Sequence, residues 1–122
     1  MLSADKLPPT LNLERGLAST GGDMALYIEL LDMFCLTHGD DGNILHRHLA
    51  EGELPALKKR AHSLKGSSGL LGADDLHASC NELEAAIRSG LDVGTIAPLV
   101  QDLSARLDQL LNEWQSRRTG RD

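Results

Sequence analysis

The chain has 122 residues, 41% of them apolar, with Tyr27, Phe34 and Trp114 as its aromatics and a net charge of −6. That length suits one domain whose core needs neither disulfides nor metals, and the acidity argues against a general nucleic-acid binder, which requires a basic face. No apolar run approaches the ~18 residues of a membrane span, and the start, Met1-Leu2-Ser3-Ala4-Asp5, lacks the basic flank and apolar stretch of a signal peptide. Leu and Ala carry the core, which favours helices. Cys35 and Cys80 sit in apolar helical patterns. They read as buried free thiols of a cytoplasmic chain that makes no membrane contact.

Residues 1–10, with Pro8-Pro9, read as a linker or disordered arm, and residues 11–117 as the folded unit. A short helix is predicted from Asn12 to Ala18, with Asn12 as cap and Leu13 and Leu17 inward. Gly21-Gly22 breaks the chain. Asp23 caps a helix to about Thr37, with Met24, Ile28, Leu31 and Cys35 at helical spacing and Gly39 at its end. Asp40 or Asp41 opens a helix carrying Ile44, Leu45 and Leu49, stopped by Gly52. The next runs from Leu54 to Leu71, with Pro55 in its first turn and Gly72 closing it. Another spans Asp74 to Ser89, closed by Gly90. The last begins near Thr95, has Pro98 in its first turn and continues to about Arg117, leaving residues 118–122 as a frayed tail.

The final three helices carry regular apolar seams. Leu57, Ala61, Leu64, Ser68 and Leu71 mark the first, and Leu76, Cys80, Leu83 and Ile87 the second. The last has Ile96, Leu99, Leu103, Leu107, Leu110 and Trp114. Each helix then buries one stripe, and short loops make sequential helices antiparallel.

One histidine lies off these seams. At about 100° per residue, His62 falls roughly 140° from the centre of its helix's apolar stripe, so it points to solvent or to a partner. Lys58, Lys59, Lys65 and Gly66 lie one turn away from it, and Gly69 continues its face. From Leu54 to Ala73 there is no Asp or Glu. Mid-helix glycine is less stable than alanine by about 1 kcal/mol. Gly66 and Gly69 are therefore read as clearing the surface for another molecule. A neutral imidazole is a nucleophile, and ammonium groups offset phosphoryl charge. No nucleotide-binding motif is present, so phosphate would arrive from another protein. His46 and His48 are about 200° apart on a helix and cannot share a metal. No metal site is expected.

The run His62-Ser63-Leu64-Lys65-Gly66-Ser67-Ser68-Gly69-Leu70-Leu71-Gly72-Ala73, followed by Leu76, Cys80, Leu83-Glu84 and Arg88, resembles histidine-containing phosphotransfer domains of multistep two-component relays. The resemblance covers roughly residues 11 to 114, with Gly21-Gly22-Asp23, Tyr27, Leu30-Leu31 and Phe34 matching the family's preceding helix. It implies an all-α fold, an antiparallel four-helix bundle with one or two short accessory N-terminal helices. It implies that His62 takes phosphate from a receiver's aspartyl-phosphate and passes it to another receiver. Lys65 matches the family's basic residue, Gly66 its access glycine, and Glu84 an acceptor that orients the imidazole. Lys58, Lys59 and Gly69 would meet the partner. The partners implied are response-regulator receiver domains and a hybrid sensor histidine kinase. No cofactor is implied for this chain, Mg2+ belonging to the receiver, and the chain is read as a monomer. The linker-like start suits a domain cut from a hybrid kinase or a free-standing protein. Two other readings compete: a helical adaptor that binds a receiver or kinase without carrying phosphate, and a metal- or cofactor-binding bundle.

Overall fold

Residues 7–118 are described by the computed structural model, and they form six helices without a strand: α1 (Leu13–Ala18), α2 (Met24–His38), α3 (Asp41–Ala50), α4 (Leu54–Leu71), α5 (Asp74–Arg88) and α6 (Val93–Arg118). Local chemistry sets many of the boundaries. The side chain of Asn12 accepts from the Arg15 N–H at 3.2 Å, and that of Asp23 from the Leu26 N–H at 3.0 Å. Both satisfy orphan donors of a first turn. Gly72 ends α4 in the left-handed region at φ 76°, and a Cβ there would run into the Asn12 carbonyl. The Gly-Ser-Ser-Gly stretch is helical throughout.

Helices α3 to α6 form the bundle: α3 packs on α4 and α6, and α5 packs on the same two. Helices α1 and α2 lie against α4 from outside. Leu57, Ala61 and Leu64 of α4 face Cys80 and Leu83 of α5 and Val100, Leu103 and Leu107 of α6 in a fully buried interior. Apolar burial at about 25 cal/mol per Å² is the main term holding these faces together.

Five features depart from the sequence reading. The buried stripe of α2 is Tyr27, Leu31, Phe34 and His38, while Met24, Ile28 and Cys35 are only partly buried. The two largest apolar side chains, Tyr27 and Phe34, decide that phase, and the Tyr27 hydroxyl donates to the Leu71 carbonyl at 2.6 Å. Of the two accessory helices, α2 is not short, at 15 residues. Helix α6 starts at Val93, because the Asp92 carboxylate accepts from the Thr95 N–H at 2.8 Å, and Pro98 therefore lies beyond the first turn. Leu7, assigned to the arm, is 5% exposed and joins the core. At the other end, Arg118 is helical and pairs with Asp32 at 3.2 Å. Residues 1–6 and 119–122, the rest of the expected arm and tail, lie outside the described residues.

Candidate functional site around His62

The regular seam of α4 turns His62 outward, where its side chain is 68% exposed. From α5, Glu84 reaches across with Oε2 at 2.7 Å from His62 Nδ1. Glu84 is buried, so it acts as a fixed prop under an exposed ring. Lys65 closes the arrangement: its Nζ sits 2.7 Å from Glu84 Oε1. Oε1 has no well-aligned hydrogen-bond donor among the described residues, so this contact is chiefly electrostatic. Lys65 holds the Glu84 carboxyl below the ordinary carboxylate range. Burial opposes that shift, and His62 adds to it.

The tautomer follows. Since Glu84 is a carboxylate, the proton in the 2.7 Å contact sits on His62 Nδ1, which donates. In the neutral ring Nε2 then carries the lone pair, and it has no hydrogen-bond partner among the described residues. An exposed ring nitrogen with its partner nitrogen anchored is a nucleophile set for attack on an incoming electrophile.

The other expected residues separate into groups. Gly66, one turn on, has open space where a Cβ would project. Gly69 does not: a Cβ would come 3.2 Å from His77 Nδ1 on α5. That histidine donates to the Lys65 carbonyl at 3.0 Å, so Gly69 serves the close α4–α5 approach. Lys65 is turned onto Glu84 and is not free beside the imidazole. Lys58 and Lys59 line an open groove next to His62, together with Leu54, Ile87 and Arg88. The Arg88 guanidinium lies 4.0 Å from Glu84 Oε2 and is 59% exposed. Its i+4 spacing from Glu84 was the signal that it belongs to the site.

A second polar cluster escaped the sequence reading. His38 and Asp41 are buried, with His38 Nδ1 2.6 Å from Asp41 Oδ2. Arg60 Nη1 lies 3.2 Å from Asp41 Oδ1, and Ser67 Oγ 3.0 Å from His38 Nε2. This cluster ties α2 and α3 to α4 through residues that alternate in sequence with the His62 face. Among the described residues no group of three or more His, Cys, Asp and Glu side chains could hold a metal ion, and no helix is long and apolar enough to cross a membrane.

Comparison with known proteins gives the family and the fold. The Hpt domain family profile matches residues 29–117. Among solved structures, the fold superposes on an HPT domain of a sensor hybrid histidine kinase from Shewanella, with a TM-score of 0.81 at 20% identity over 91% of this chain and 95% of that one. It also superposes on histidine-containing phosphotransfer protein B from Pseudomonas aeruginosa, with a TM-score of 0.71 at 32% identity over 96% of this chain and 98% of that one. No curated protein sequence matches the chain.

Proposed function

Because the chain belongs to the Hpt domain family, whose members perform histidine phosphotransfer in phosphorelays with receiver domains and hybrid kinases, we propose that His62 is the residue that carries the phosphoryl group. The observation that carries the assignment is the exposed imidazole anchored through Nδ1 at 2.7 Å to the buried Glu84.

The step balances without a cofactor on this chain. The Nε2 lone pair attacks phosphorus of a receiver's aspartyl-phosphate. The N–P bond forms as the P–O bond to the aspartate breaks, and that electron pair leaves with the aspartate carboxylate. Bond formation makes the ring cationic, since Nδ1 keeps its proton. Glu84 faces that proton and offsets the charge. Lys65 keeps Glu84 ionised for the task. The reverse sequence delivers phosphate to a second receiver. Phosphoryl transfer asks mainly for positioning and charge neutralisation. The receiver supplies the Mg2+ and the activated phosphate, and Gly66 leaves room for its active site.

We read the chain as a monomer, because one exposed imidazole completes the site without a second copy. The net charge of −6 supports a role without nucleic acid. Its free Cys35 and Cys80 suit the reducing cytoplasm.

The test is transfer from a receiver phosphorylated with acetyl phosphate. Wild type should acquire an acid-labile, base-stable label, and His62→Gln none. Label on the variant, or none on wild type, would overturn the assignment. A wild type that binds the receiver without label would favour an adaptor.

A further inference from the structure

Helices α2 and α4 enclose a cavity of about 170 Å³. Leu30, Met33, Phe34 and Leu70 give it apolar walls, and His38 and Ser67 open into it. No Asp, Glu, Lys or Arg lines it. Such a space takes a short, neutral, apolar chain.

The two polar side chains end a directed series of hydrogen bonds. Asp41 accepts from Arg60 at 3.2 Å through Oδ1 and from His38 Nδ1 at 2.6 Å through Oδ2. In the neutral ring the proton therefore sits on Nδ1, and Nε2 accepts from the Ser67 hydroxyl at 3.0 Å. A carboxylate, an imidazole fixed in one tautomer and a hydroxyl in series make a serine nucleophilic. His38 and Asp41 are buried, which keeps the series aligned, while Ser67 is half-buried and faces the cavity. A tie between helices alone would not require its hydroxyl end to open on an apolar cavity.

We infer that Ser67 is a second nucleophile of this chain, activated by His38 and Asp41, and that it takes a short acyl group from a neutral activated ester. Ser67 Oγ attacks the carbonyl carbon as its proton passes to His38 Nε2. Asp41 faces Nδ1 and offsets the charge on the imidazolium. The C–O bond to the leaving alcohol breaks, its electron pair leaves on that oxygen, and the oxygen takes the proton back from Nε2. The product is an acyl-Ser67 ester and a free alcohol. The backbone N–H groups around Ser67 are spent inside α4 and cannot cradle an oxyanion. An activated leaving group is therefore needed, and the acyl-serine persists. The result is a single modification of the helix that carries His62. Ser67 lies about 140° around α4 from His62, so the two nucleophiles work on different faces.

The test incubates the full chain with p-nitrophenyl butyrate and follows nitrophenolate release and the adduct by peptide mass. Wild type should release a burst of about one equivalent and carry butyryl on Ser67. Ser67→Ala should lose both, and it should still accept phosphate from a receiver. His62→Gln should keep the burst and the Ser67 adduct. His38→Gln should slow acylation of Ser67 at least about a hundredfold at unchanged helicity. Should His38→Gln fail to fold, Leu70→Trp decides in its place. Leu70 is 57% exposed, so the indole narrows the cavity without disturbing the core, and the Ser67 adduct should be lost. No adduct on wild-type Ser67, a burst that survives in Ser67→Ala, or equal acylation in a folded His38→Gln overturns the inference. An adduct retained in Leu70→Trp does the same. Acylation of Ser67 by acetyl phosphate but not by the ester overturns the neutral class of donor.

Discussion

At the scale of single residues, the site rests on a division of labour between Glu84 and Lys65. A buried carboxylate ordinarily has its pKa raised by desolvation. Here the ammonium at 2.7 Å prevails, and the group lies below its ordinary 4.5. Glu84→Gln keeps an acceptor for Nδ1 but loses the charge. Transfer should slow about tenfold with little change in KM, because the lost interaction strengthens as the ring becomes cationic. Unchanged single-turnover rates would remove Glu84 from the site. The same residue predicts an acid limb. A group whose pKa is lowered by folding stabilises the fold above its unfolded value, and that stabilisation is lost as pH falls through the folded value. Urea midpoints of wild type and Glu84→Gln should therefore differ at pH 6 and converge on acidification below the ordinary 4.5. A constant gap would contradict this.

At the scale of the helix, α4 contains two glycines that the sequence treats alike and the packing does not. Gly66 faces open space, whereas a Cβ at Gly69 would press on a His77 ring held by the Lys65 carbonyl. Gly66→Ala should therefore stabilise the fold by about 1 kcal/mol, raising Tm by about 4 °C, while slowing phosphate uptake from a receiver. Gly69→Ala should show no such gain until His77 is also made alanine. Calorimetry on the four proteins decides it, and equal gains at both glycines would refute the distinction. This contrast also marks what a sequence can carry. The phase of α4 was legible because Leu57, Ala61, Leu64, Ser68 and Leu71 repeat without interruption, so the outward direction of His62 followed from spacing alone. The phase of α2 was not. Apolar residues surround that helix, with Leu26, Met33 and Leu36 exposed, and only the bulk of Tyr27 and Phe34 breaks the tie. Gly69 looked like a clearing for a partner because its neighbour, His77, comes from another helix.

At the scale of the whole molecule, the bundle buries a charged cluster where an apolar contact would have sufficed. Asp41 is 1% exposed and holds His38 at 2.6 Å and Arg60 at 3.2 Å, so one carboxylate joins α2, α3 and α4. Such a cluster is invisible in the sequence, where Asp41 reads as a helix-opening residue and Arg60 merely follows Lys58 and Lys59. Its energetics are asymmetric. Removing one partner of a buried polar cluster strands the others, at roughly 3–5 kcal/mol. Arg60 is 36% exposed and can turn to water, but His38 is buried and cannot. Asp41→Ala should therefore cost about 3 kcal/mol, and Arg60→Ala about 1 kcal/mol. The surface pair of Arg15 and Asp74, whose side chains are 61% and 41% exposed, should yield less than about 1 kcal/mol when broken. Urea unfolding of the three variants orders them. If Asp41→Ala fell no further than Arg60→Ala, the cluster would not be what fixes α2 and α3 against the helix that carries His62. If the order holds, the two faces of α4 have separate tasks. One locks the helix in place through Arg60 and Ser67, and the other, free of that duty, presents His62 to a passing receiver.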